Sequence, residues 1–195
     1  MSLGQFLPIG RILENKAMQK IDPSGTWTAD PAHTHIGFAI AHLGISKTRG
    51  KFNEFTGEAS VDAKNPGRSF VNFTIQSASV DTGIKARDEH LRTPDFLDVA
   101  RYPTIVFESS KVEKRGRGYQ ATGKLTLHGV TRQISFPFTI TGPGRGMQKE
   151  IRGGIQASLK INRKDYGLTY NGLVEGIQAV GEIVEIEIDL EATRK

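Results

Sequence analysis

The chain offers a narrow set of residues for chemistry. It has no cysteine among 195 residues, which excludes disulfides, thiolate nucleophiles and Cys-based metal sites. The five histidines are His33, His35, His42, His90 and His128. His33 and His35 lie two apart, on one face if the segment is a strand, as metal ligands can. No H-E-x-x-H motif and no third ligand at a suitable spacing joins them, so no metal site is expected. His128 precedes Gly129, which suits a hairpin turn. The densest polar cluster is Arg87-Asp88-Glu89-His90-Leu91. On a helix, Arg87 shares a face with His90 and with Leu91. An arginine there suits a phosphate, a carboxylate or a carbonyl acceptor. The same cluster also suits an ion-pair network that pins the segment to the rest of the fold. Asn162-Arg163-Lys164-Asp165-Tyr166-Gly167 combines turn formers with a cation. No G-x-S-x-G elbow occurs, and Gly142-Pro143-Gly144 precedes no helical pattern, so neither a serine nucleophile nor a phosphate loop is expected.

The elements that must position these groups are strands. Ile36, Phe38 and Ile40 alternate with Gly37, Ala39 and Ala41, and His42 continues the apolar phase. Val71, Phe73 and Ile75 alternate with Asn72 and Thr74. Ile105 and Phe107 flank Val106, and Leu125 and Leu127 alternate with Lys124 and Thr126. Ile134, Phe136, Phe138 and Ile140 form a further series, as do Ile155, Leu159 and Ile161 with Gly153 and Ala157. Val184, Ile186, Ile188 and Leu190 alternate with Glu185, Glu187 and Asp189. A period of two places one face inward and the other in water. With strands near Trp27 and over Phe52–Val61 the count reaches eight or nine. Antiparallel pairing fits half-wet strands, and closure into a barrel removes the edges. Pro137 inside a strand pattern suggests an edge or bulge. Lys64-Asn65-Pro66-Gly67 and Gly142–Gly146 read as turns or loops. Thr82 to Pro103 breaks the period and reads as a helix capped by Thr82, then a loop, set across one barrel end.

Composition agrees with one folded domain. Hydrophobic residues make up 37% and charged residues 24%, enough for a sizeable core. The net charge of +5 is spread along the chain with no basic stripe, so nucleic acid is not an expected partner. No run reaches the roughly 18 apolar residues of a membrane-spanning helix. Residues 1–24 form an extension in which Leu7, Ile12, Leu13 and Met18 suit one face of a short helix. Gly4, Gln5, Pro8, Gly10 and Arg11 interrupt any signal-peptide core, so a cytoplasmic location is expected. The barrel domain spans 25–192.

Several short motifs in order make the chain resemble the YceI-like family of lipocalin-like, polyisoprenoid-binding proteins. They are Asp30-Pro31-Ala32-His33-Thr34, then Phe38 and His42, then Gly50-x-Phe52-x-x-Phe55-x-Gly57. Arg87-Asp88-Glu89-His90-Leu91, Phe96, Tyr102-Pro103, Gly123 through Thr131 and Asn162-Arg163-x-Asp165-Tyr166-Gly167 follow. The resemblance implies an all-β, eight-stranded antiparallel lipocalin-like barrel with a short helical insertion and an elongated pore. It also implies an amphiphilic lipid ligand: a polyisoprenoid, an isoprenoid quinone or a fatty acyl chain. No other cofactor is expected.

On composition alone the inward aromatics would read as an ordinary core, since burying a phenylalanine already contributes about 2 kcal/mol. The resemblance turns them into a lined pore. Phe38, Ile40, Phe73, Ile75, Leu91, Phe96, Phe107, Leu125 and Phe136 would then meet the tail, and His42, Arg87, His90 or Arg163 the polar head. Storage, transport or sequestration would follow, with transient membrane contact and a homodimer as family-level expectations. Two alternatives stand beside this one: an enzyme acting on such a lipid with His42 or His90 as general base, and an interaction module whose barrel is filled by its own side chains.

Overall fold

The computed structural model describes residues 21–174 and 177–195. The short helix expected around Leu7, Ile12, Leu13 and Met18 lies outside the described residues. The strands, in chain order, are β1 Gly25–Ala29, β2 His35–His42, β3 Ser46–Phe52, β4 Phe55–Val61, β5 Phe70–Gln76, β6 Val80–Asp81 and β7 Thr104–Arg115. They continue as β8 Gly118–Leu127, β9 Val130–Arg145, β10 Ile151–Asn162, β11 Leu173–Val174, β12 Ile177–Gln178 and β13 Val180–Arg194. Among the described residues one α-helix, α1, spans Lys85–Arg92.

The walls run β1, β4, β5, β7, β8, β9, β10, β13, and β13 pairs back with β1 to close the ring. Every pairing is antiparallel. The result is the eight-stranded antiparallel barrel that the resemblance implies, within the eight or nine strands counted from the alternation. Three walls are interrupted strands: β2 extends β1, β3 extends β4, and β6 extends β5, with β2 paired to β13 and β3, and β3 to β6.

The first interruption follows from Asp30-Pro31-Ala32-His33. Asp30 accepts a hydrogen bond from the Ala32 N–H at 3.0 Å and caps a single 3-10 turn that starts at Pro31, a position where a missing N–H costs nothing. The wall bends there and resumes at His35. At the other side, His128 and Gly129 both have positive φ (51° and 73°) and form a two-residue hairpin between β8 and β9. The Tyr102 ring packs where a Cβ on Gly129 would stand.

Several expectations change. Gly142–Arg145, expected as a loop, belongs to β9, and the turn follows at Gly146–Lys149. A register shift between Arg152 and Gly154 of β10 accommodates Pro143, which has no N–H to give a ladder. Pro137 pairs across with Gln120 and sits where the β9–β10 register stops at Phe138, a local edge. Thr82 does not cap α1. The first flanking residue is Ile84, and Thr82 instead gives its N–H (2.8 Å) and its hydroxyl to Asp88.

Candidate functional site

The inward phases of the walls do not meet in the middle. They enclose an apolar cavity of about 280 Å³. A dry cavity of roughly 150 Å³ already takes a benzene molecule, and packed cores hold few voids larger than a water. Phe38, Phe73, Phe107 and Phe136 all face this space and are only half-buried, because the void leaves one side of each ring bare. Cross-strand contacts hold the rings. Phe107 and Phe136 lie 5.2 Å apart, Phe38 and Phe52 5.7 Å, and Phe55 and Phe73 5.4 Å in a stacked pair.

The cavity lining contains Phe38, Ile40, Phe73, Ile75, Leu91, Phe96, Phe107, Leu125, Phe136 and Arg163. It does not contain His42, Arg87 or His90, three of the four groups expected to meet a ligand head. His42 keeps the inward phase of β2 but is exposed. It pairs with Ser46 at the hairpin and with Val180, the first residue of β13, beyond a register shift, so it stands at the very end of the neighbouring wall. Arg87 reaches back one turn, where its Nε donates to Thr82 Oγ1 at 2.7 Å and its Nη2 to the Thr82 carbonyl at 3.0 Å. These bonds to Thr82 hold Arg87 away from the cavity that Leu91 faces, although the two share a helix face by spacing. His90 neighbours Leu91, a hundred degrees around the helix, and turns outward. It hydrogen-bonds Asp95 at 2.9 Å and packs edge-on against Phe96 and Tyr170. The Arg87–Leu91 cluster is therefore the pinning network. Asp88 is buried on Thr82, and Arg92 donates to the carbonyls of Ala78 and Val80 at 2.7 and 2.8 Å. Leu91, Phe96 and Leu97 are left facing the cavity.

Arg163 is the only charged side chain in the lining among the described residues. It is 3% exposed. Asn162 accepts the Lys164 N–H at 3.0 Å, and Gly167 takes the left-handed conformation (φ 75°), so the chain coils tightly around it. Its Nε donates to the Gly181 carbonyl at 2.8 Å, its Nη2 to the Val180 carbonyl at 3.3 Å, and its Nη1 to the Leu168 carbonyl. Burial pushes the guanidinium pKa down and Glu182 partly offsets this. An arginine stays charged nonetheless, so one end of an otherwise apolar cavity carries a positive group.

Sequence reasoning missed Phe52, Val80, Leu97, Ala121, Leu168 and Val180 as lining residues. Phe52 ends a strand of polar composition, and Leu168 follows a turn. Of the small residues on the inward phase, Ala157 lines the cavity, whereas a side chain on Gly123 would strike the Glu108 carbonyl and the Phe107 ring beside a bulge in β7.

On the outer surface Asp30, His33 and Glu191 approach one another. The two carboxylates hold the Arg152 guanidinium, 2.8 Å from Asp30 and bonded also to Glu191 and Glu150, while His33 bonds Asp30. Hydrogen bonds from His33 and then Arg152 hold the Asp30 carboxyl down at about 2. This cluster ties β1, β10 and β13 together behind the bend. Among the described residues, no helix is long and apolar enough to cross a membrane.

Residues 27–192 match the family model described as YceI-like domain. A UPF0312 protein of Yersinia pestis (strain Pestoides F) is 40% identical over 168 residues, 86% of this chain and 84% of that protein. BcnA of Burkholderia cenocepacia superposes with a TM-score of 0.73 at 26% identity, covering 85% of this chain and 99% of BcnA. A polyisoprenoid binding domain from Saccharophagus degradans superposes with a TM-score of 0.64 at 18% identity, over 87% of this chain and 98% of that one, a likeness of fold. The barrel, the cavity and these matches lead to one statement: the chain belongs to the YceI-like domain family.

Proposed function

We propose that this protein binds an amphiphilic lipid by its long apolar chain, for storage, transport or sequestration. The observation that carries the reading is the hollow barrel: an apolar cavity of about 280 Å³ with, among the described residues, a single buried cation, Arg163, at one end. By the cavity slope measured in a model core, an empty void of that size would cost roughly 7 kcal/mol, a large part of the 5–15 kcal/mol that typically keeps a domain folded. A ligand tail removes that cost. The fold shared with the Saccharophagus degradans polyisoprenoid binding domain supports an isoprenoid tail. The Arg163 donors are turned onto the carbonyls of Leu168, Val180 and Gly181, so what it offers a ligand is its charge, which supports an electronegative head group at that end, such as a quinone carbonyl, a phosphate or a carboxylate.

The proposal includes brief membrane contact during loading, a cytoplasmic location and a homodimer. Vesicle transfer, cell fractionation and native mass in solution test these. The central test is solvent extraction of the purified protein followed by mass spectrometry, then titration of the delipidated protein with polyprenols, quinones and fatty acids. Recovery or uptake of any of these supports the reading. Protein that leaves the cell empty and refuses all three classes overturns it. No observation favours catalysis at the mouth, since His42 and His90, the bases such a reaction would need, lie off the cavity.

A further inference from the structure

The main cavity ends at a partition, and a second apolar chamber lies behind it. This chamber has a volume of about 90 Å³ and is bounded at its far end by Trp27, Ala59, Val61 and Ala192. The two spaces share four lining residues: Val71 and Phe73 from β5 on one wall, and Ile155 and Leu190 on the other. Ile155 and Leu190 face each other across the β10–β13 ladder. The direction is set by the strands. Along β10 the lining runs from Ile155 at the partition to Ile161 beside Arg163, so the second chamber lies at the end remote from the cation. Trp27 closes that remote end. It is 7% exposed, and its indole N–H donates to the Pro23 carbonyl at 2.9 Å.

Phe73 is the bulkiest member of the partition, and the local sequence seats it. A Cβ on Gly57 would come within 2.5 and 2.6 Å of two atoms of the Phe73 ring. Only glycine at position 57 lets that ring lie across β4. Phe55 then stacks on it. The ring is thus held flat against the wall by a missing side chain and an aromatic neighbour, while no covalent or polar tie fixes it there. From this geometry we infer that Phe73 sets the longest ligand chain the barrel accepts. A tail that fits the main cavity ends at the Phe73 ring, and the chamber under Trp27 is a second tail subsite, open only when that ring is displaced or cut away.

This inference rests on the lipid-binding reading, and its test separates the two. Delipidated protein is offered a ladder of all-trans polyprenols that differ by one isoprene unit, and the bound fraction is recovered by gel filtration and identified by mass spectrometry. Wild-type protein should show a length cut-off. Phe73→Ala should move the cut-off up by at least one isoprene unit while shorter polyprenols still bind. Phe73→Leu, which keeps apolar bulk and protects the fold, should move it less. Phe70→Ala removes the same side chain from the outward face of the same strand and should leave the cut-off in place. A folded Phe73→Ala variant with the wild-type cut-off overturns the inference alone. Wild-type protein that binds no polyprenol of any length overturns this inference, and one that refuses quinones and fatty acids as well overturns the lipid-binding reading with it.

Discussion

Arg163 holds three main-chain carbonyls from two distant stretches of chain, those of Leu168, Val180 and Gly181. Removing it leaves buried acceptors without a donor, and unsatisfied groups cost more than the bonds they lose were worth. Arg163→Ala should therefore destabilise the protein by about 3 kcal/mol. Arg163→Lys should recover little of this, because one ammonium cannot reproduce a planar fork aimed at separate oxygens. Urea midpoints of the three proteins check it, and a lysine variant as stable as the wild type would mean that charge, not the fork, is what the site needs. The resemblance put Arg163 among the groups expected to meet a polar head, but the sequence did not reveal its bonds. Those bonds join residues five to eighteen positions apart, and no local pattern encodes such a closure. His42 is the converse. Its phase was legible and its exposure was not, because periodicity reports which face a residue takes and says nothing of how far the adjoining wall extends.

At the scale of elements, the bend between β1 and β2 and the insertion around α1 can each be loosened separately. The Asp30 carboxyl is held at about 2, below its ordinary 3.8, first by His33 and then by Arg152. A carboxyl with a depressed folded pKa stabilises the fold while ionised. Its contribution is full above pH 3.8 and is lost as pH falls through about 2. The gap in urea midpoint between wild type and Asp30→Asn should stay constant above about pH 5 and close as pH approaches 2. A gap that persists in acid would mean that the bend is held by shape alone. The insertion hangs on Asp88, buried against the Thr82 N–H at 2.8 Å. Asp88→Ala should raise amide hydrogen exchange across 82–103 and leave the barrel strands protected, since local openings draw on few contacts. Equal loss of protection in β7–β10 would make the insertion part of the barrel's cooperative unit. These elements were unequally legible. Seven inward series announced their strands by strict alternation. β3, Ser-Lys-Thr-Arg-Gly-Lys-Phe, did not, because six of its residues are polar or glycine. Its pairing comes from β2, joined to it by a short hairpin, and from β6, which lies some thirty residues on.

For the molecule as a whole, the question is whether the barrel is hollow by design of its side chains or simply an imperfect core. Apolar phase alone cannot separate the two, because a phenylalanine that lines a pore and one that fills a core occupy the same position in a period of two. Volume separates them. Ala157 faces the cavity from β10, opposite Ile188 of β13. In a filled barrel, Ala157→Leu would overpack and destabilise by about 1–3 kcal/mol. In a barrel with about 280 Å³ of empty apolar space, the added side chain enters the void and should stabilise the delipidated protein by about 0.5–2 kcal/mol. The same substitution takes space from the tail, so the amount of polyprenol bound at saturation, or its affinity, should fall. Stability and binding thus move in opposite directions from one substitution. Urea midpoints of the delipidated proteins, together with polyprenol titration, read both. A leucine that lowers stability would favour the filled-module reading. A leucine that raises stability and leaves polyprenol uptake untouched would place the ligand somewhere other than the barrel.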